Sequence, residues 1–225
     1  MTGKTLRAAR LNSGLTQVEA AQRLGVSQSY MSMLESGSRP VSRRLLARVL
    51  RVYQLAPTAR PLSNDKPLDL QRLAVTLGTL GYPGYRYLSA GKPTLNPAVV
   101  LLEALKQDLE PRLAAALPWL ALQYVDMPWA WVVDKARVQD LQNRLGFVVS
   151  LAREVAELRG DDARAATLKE VEQKLERARL VREDVFGRTS LTATERRWLR
   201  ETRPPGAHHW NLLTRLSAEQ VLDAA

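Results

Sequence analysis

Apolar residues recur at spacings of three and four along nearly the whole chain, and no run alternates strictly. The pattern therefore predicts helix throughout and an all-α fold. Near the amino end the periodic stretches are short, covering residues 4–13, 16–24, 28–35 and 42–53 with tight turns between them. Ala56 to Pro67 is polar and carries Pro57, Pro61 and Pro67, so helix stops there and residues 61–67 read as a linker. Periodicity resumes near Leu68. It predicts helices over 97–109, 111–124, 128–159, 163–186, 193–202 and 217–223, with Pro118 and Pro128 kinking or dividing theirs. Gly81-Tyr82-Pro83-Gly84 and Gly91-Lys92-Pro93 read as turns. Gly160-Asp161-Asp162 ends one helix and caps the next, and Thr192-x-x-Glu195 is a capping box. Two domains follow: 1–60, built of short helices, and 68–225, a larger helical domain.

Composition sharpens this picture in three places. The 225 residues are 45% hydrophobic and 25% charged, the mixture of an ordinary folded protein. Cysteine is absent and histidine occurs only at His208 and His209, which excludes disulfides and thiol catalysis and leaves a zinc site without its usual ligands. No apolar run is long enough for a membrane span, and Met1 to Arg10 lack the apolar core of a signal peptide, so a cytoplasmic protein is expected. The net charge of +10 is uneven. Residues 1–60 carry ten Lys or Arg against only Glu19 and Glu35, a net +8, whereas 61–225 carry 23 basic and 21 acidic residues, a net +2. Charge concentrated on the first quarter of the chain points to a polyanionic partner for that quarter.

Within it, residues 16–37 have the layout of a helix-turn-helix. Thr16 and Glu19 form a capping box; Ala20 and Ala21 are small where a second helix crosses closely; Gly25 supplies a left-handed residue for the turn; Val26 plugs the angle; Ser27 caps the next helix; Met31 and Leu34 face inward. Arg7-x-x-Arg10-Leu11, Gly14-Leu15-Thr16-Gln17, Gly25-Val26-Ser27-Gln28, Tyr30-Met31-Ser32 and Leu34-Glu35-x-Gly37-x-Arg39 together resemble the lambda-repressor/Cro, or Xre, family over about residues 4–55. The resemblance implies a five-helix bundle that binds operator DNA as a homodimer. It also implies that Arg10 and Glu35 pair inside the domain and leave the DNA alone.

If Met31 and Leu34 point inward, then Gln28, Ser29, Ser32 and Met33 point outward into the major groove. Glutamine can pair bidentately with adenine, serine can donate or accept, and a thioether can lie on a thymine methyl. Gln17, at the amino end of its helix, is expected to meet a phosphate through its amide or side chain. Arg39, Arg43 and Arg44 are placed to neutralise backbone charge. Tyr30 reads equally as a packing residue or a phosphate contact.

Residues 68–225 show no Gly-rich phosphate loop and no nucleophile elbow, so no enzyme, cofactor or metal is expected. His208-His209 reads as a surface loop before a general base, and Asp161-Asp162 as a cap before a metal pair. Trp119, Tyr124, Trp129, Trp131 and Phe147 form the densest aromatic stretch, either core or a groove. Trp129, Trp131 and Trp210 are the candidate anchors for a partner. The stripe Leu168, Val171, Leu175, Ala178 suits burial in the same bundle or dimerisation. Gly81 to Gly84, Asp140 to Phe147 and Pro204 to Leu213 are similar to motifs of bacterial antitoxins that pair an Xre-type domain with a helical region and a nucleotidyltransferase-like toxin. That resemblance implies a repressor that binds its toxin and autoregulates its promoter. A ligand-sensing regulator of the Xre family is the alternative.

Overall fold

A computed structural model describes the chain except for residues 64–67, 90, 92, 94, 188, 189 and 225 and the side chains of Arg43 and Ala224. It divides into two compact units, Met1–Pro61 and Leu62–Ala225. The last four residues expected in a linker lie outside the described residues.

The first unit holds α1 (Gly3–Asn12), α2 (Gln17–Leu24), α3 (Gln28–Ser36) and α4 (Arg43–Val52), followed by a 3-10 turn at Pro57–Ala59, which is the fifth helical element. Leu6, Leu24, Met31, Leu34 and Val49 form its fully buried centre. A buried ion pair crosses that centre. Arg10 donates from Nε to Glu35 Oε1 at 2.6 Å and from a terminal nitrogen to Oε2 at 3.1 Å. Its other terminal nitrogen donates to the Leu15 carbonyl at 2.7 Å, and Gln17 Nε2 donates to Glu35 Oε2 at 2.9 Å. One side-chain cluster thus joins α1, the α1–α2 turn, α2 and α3. Burial pushes the Glu35 carboxyl up, but the hydrogen bonds from Arg10 and Gln17 and the Arg10 charge outweigh it and hold it below its ordinary value.

Among the described residues of the second unit, the regular elements are helices and one two-residue parallel pair. Its elements are α5 (Leu70–Thr79), a 3-10 segment at Pro83–Leu88, α6 (Pro97–Leu105), α7 (Pro111–Gln123), α8 (Trp129–Val138), α9 (Gln142–Leu158), α10 (Asp162–Glu176), β1 (Asp184–Val185), α11 (Ala193–Thr202), α12 (Pro205–His209), β2 (Leu212–Leu213) and α13 (Ala218–Ala224). α6 and α7 are apolar on nearly every side and buried accordingly. α9 is the central strut: α7, α8, α10, α12 and α13 all pack on it. Pro118 sits inside α7 without ending it, whereas Pro128 stands just before α8 and starts it.

Two expected helices are broken. The stretch 128–159 divides at Asp140, which takes φ 55°, a left-handed conformation that an Asp side chain tolerates. The stretch 163–186 ends its helix at Glu176, because α9 captures the chain beyond it. Asn143 accepts from Leu180 N at 2.8 Å and donates to Leu180 O at 2.8 Å, and Asn211 donates to the same carbonyl at 2.8 Å. Backbone that a helix would have satisfied is satisfied by two asparagines instead. β1 then pairs with β2, Asp184 opposite Leu212 and Val185 opposite Leu213. Arg144 forks onto Asp184 at 2.6 and 3.0 Å and donates to the Leu105 carbonyl at 2.8 Å. Phe147 meets Phe186 edge to face at 5.5 Å.

Gly146 completes the joint. A Cβ there would stand 2.4 Å from two ring carbons of Trp210, whose side chain has no exposed surface. The Asp140–Phe147 and Pro204–Leu213 motifs therefore touch, and only glycine lets the indole lie against α9.

All five tryptophans lie beyond residue 61, so tryptophan emission reports the second unit alone. In urea titrations followed by that emission, Gly146→Ala should cost about 1–3 kcal/mol through overpacking, and Trp210→Ala about 3–5 kcal/mol through the cavity it leaves. In the first unit, Glu35→Ala strands the buried Arg10 charge and should cost about 3–5 kcal/mol. Because Glu35 titrates below its ordinary value of 4.5, its contribution is fully present above that pH and is lost as pH falls through the lowered value. Amide protection in α1 and α3, measured relative to the intrinsic exchange rate at each pH, should fall with acid in the native chain, and the Glu35-dependent part of that fall should vanish in Glu35→Ala.

Candidate nucleic-acid interface

The α2–turn–α3 segment is built by local hydrogen bonds. Thr16 N donates to Glu19 Oε2 at 2.7 Å and Glu19 N donates to Thr16 Oγ1 at 3.2 Å, the reciprocal box the sequence predicts. Gly25 takes φ 65°, and the chain turns so that Val26 N reaches the Ala21 carbonyl at 3.0 Å. Ser27 Oγ then accepts from Tyr30 N at 3.1 Å and starts α3. Met31 and Leu34 are buried, so the helix has only one rotation available to it, and Gln28, Ser29, Ser32 and Met33 are all exposed. Met33 keeps 39% of its surface in solvent, a large apolar group on an otherwise hydroxyl- and amide-bearing face. Tyr30 is half-buried and packs against the core, which settles part of its surface as packing.

Gln17 is half-buried at the first position of α2. Its side-chain nitrogen donates one hydrogen bond to Glu35, and its backbone N–H at the helix end has no acceptor inside the helix. Arg39 and Arg44 are exposed on the segment after α3, and Arg39 N is anchored to the Met33 carbonyl at 3.1 Å. The Arg43 side chain lies outside the described residues. A cleft of about 290 Å³ beside the start of α3 is lined in part by Tyr30, Ser42, Arg44 and Arg48. Arg48 also donates to the Leu24 carbonyl at 2.8 Å, a tie between α4 and the end of α2 that the sequence does not signal.

The second unit rearranges the candidate anchors. Trp210 is fully buried and Trp129 is 8% exposed with its indole N–H donated to the Val125 carbonyl at 2.8 Å, so both are core and not surface. Trp131 is half-buried and packed against the same core. The exposed tryptophan is Trp198, at 47%, which is not one of the anchors that the sequence suggests. His208 and His209 belong to α12 instead of a loop, and His209 Nε2 lies 2.6 Å from Glu176 Oε2. Asp161 caps α10 by accepting from Arg164 N at 3.1 Å. Among the described residues no cluster of three His, Asp or Glu side chains could hold a metal ion, and no helix is long and apolar enough to cross a membrane.

Comparison with known proteins places a helix-turn-helix domain at residues 3–62. The match spans all but the first two residues of the first unit and ends at the first residue of the second. No curated protein and no solved structure matches the chain. The amino-terminal unit is a helix-turn-helix domain, which supports DNA as a partner of that unit.

Proposed function

We propose that this chain is a sequence-specific transcriptional repressor that reads its operator through α3 as a homodimer, and that its larger unit binds a protein. The observation that carries the first part is the exposed, uncharged face Gln28, Ser29, Ser32 and Met33 on a helix whose opposite face is locked in the core. Such a face can read base edges, while Arg39, Arg43, Arg44 and the Gln17 amide hold the phosphates. One helix covers only a few base pairs, and a two-fold dimer doubles that site.

The proposed partner is the toxin of a toxin–antitoxin pair, of the nucleotidyltransferase type. This reading rests on the likeness of Gly81–Gly84, Asp140–Phe147 and Pro204–Leu213 to antitoxin motifs. The second and third of these meet at the Gly146–Trp210 contact, so they support a shared fold for the second unit more directly than a shared binding surface.

Gln28→Ala should weaken binding to the operator by about 1–3 kcal/mol and leave binding to random duplex unchanged. Arg44→Ala should weaken both and reduce the salt slope by about one unit. Titrations at several salt concentrations separate the two, and equal weakening by Gln28→Ala on both duplexes removes its base-reading role. Footprints should show an inverted repeat with half-site centres about 34 Å apart or a multiple of it. For the partner, residues 62–225 produced alone should restore growth of cells carrying a toxin encoded beside this gene, and residues 1–61 should not. Rescue by the first unit alone, or by neither, sinks the antitoxin reading and leaves the DNA-binding one standing.

A further inference from the structure

α4 carries Arg43, Arg44, Arg48 and Arg51 and no acid. Arg44 and Arg48 stand one helical turn apart, and both line the cleft of about 290 Å³ that α4 shares with Gly25, Val26 and Tyr30. Like charges at that spacing repel. Among the described residues of the first unit the ion pair is Arg10–Glu35, so neither arginine has a carboxylate partner.

Arg48 is also half-buried, which strips part of its hydration. Its Nη1 donates to the carbonyl of Leu24, the last residue of α2, at 2.8 Å. That bond fixes the guanidinium beside the turn. The approach uses the missing side chain of Gly25, where a Cβ would stand 3.1 Å from Nη1. A guanidinium ordered in advance loses little further freedom when an anion arrives, and its fork suits the oxygens of a phosphate. The other polar groups of the cleft agree with that sign. Tyr30 and Ser42 bring hydroxyls, which can donate, and no carboxylate lines it among the described residues.

The position of the cleft narrows the source of the anion. Gly25, Val26 and Tyr30 belong to the turn and the first turn of α3, within the same compact unit as α4. A recognition helix enters the major groove by its amino end, and the wall of that groove is sugar–phosphate backbone. We propose that the cleft is a phosphate site with Arg48 as its preset ligand, and that its occupant is one phosphodiester of the duplex read by α3. The proposal rests on that reading by α3. Arg39 lies outside the cleft and serves a different phosphate. A free phosphate ion has the same chemistry, and the test separates the two sources.

The test uses the full chain and a duplex that it selects from a random library, with each phosphate of a half-site replaced in turn by an uncharged methylphosphonate. At one position the native chain should lose about tenfold in affinity or more. At that position Arg48→Met should lose almost nothing further, whereas the loss in Arg39→Ala should multiply with it. If Arg48 only braces the end of α2, its loss multiplies with every methylphosphonate alike, and the phosphate site is overturned. A second readout needs no substitution in the chain. The Nε–Hε resonance of Arg48 should move when the duplex binds, and that one methylphosphonate alone should abolish the movement. A resonance that moves with inorganic phosphate and never with the duplex overturns the DNA occupant and gives the cleft to a free anion. A resonance that moves with neither overturns the site. A chain that selects no sequence at all overturns the reading by α3 together with this proposal.

Discussion

The arrangement of α1, α2 and α3 in the first unit depends on one buried ion pair. Arg10 and Glu35 are both almost wholly withdrawn from solvent, and neither charge could stay there without the other. Because Arg10 also takes the Leu15 carbonyl and Glu35 also takes Gln17, the pair fixes where α2 begins and how α3 is rotated. A hydrophobic contact in the same place would tolerate sliding of one helix over another. A bidentate fork does not, since a shift of an ångström breaks two short hydrogen bonds in a low-dielectric interior. The face carrying Gln28, Ser29, Ser32 and Met33 is exposed at a fixed angle for that reason.

The second unit uses the same device at a different place. Arg144 forks onto Asp184, Asn143 holds both backbone groups of Leu180, and Gly146 admits the Trp210 ring. Three residues within one turn of α9 therefore organise the long segment after α10. The Trp210 indole nitrogen has no hydrogen-bond partner among the described atoms, so packing volume is what this ring contributes. The two units share a strategy in which polar clamps set register and apolar residues fill the remaining space. They differ in their outcome for the surface: the first displays an uncharged face on α3, and the second displays a basic helix bearing an exposed tryptophan.

That difference bears on how such a chain works. In the proposed reading, an α3 face without charge contributes little to non-specific attraction, and the phosphate contacts fall to residues such as Arg39 and Arg44, which are exposed. Separating base reading from charge lets affinity be tuned without loss of discrimination.

The helix-turn-helix was legible in the sequence because its determinants are local. Thr16 and Glu19 lie three apart, Gly25 needs no neighbour to turn left-handed, and the spacing of Met31 and Leu34 alone assigns the outward face. The all-α class and the division near residue 61 follow equally from periodicity and proline. What the tertiary structure decided is non-local. Asn143 meets Leu180 across 37 residues and Arg144 meets Asp184 across 40, so no window of sequence shows why α10 stops at Glu176. Tryptophan is amphipathic enough to sit inside or outside. Only packing placed Trp129 and Trp210 in the core and left Trp198 in solvent, because burial is a property of the assembled surface and not of the residue.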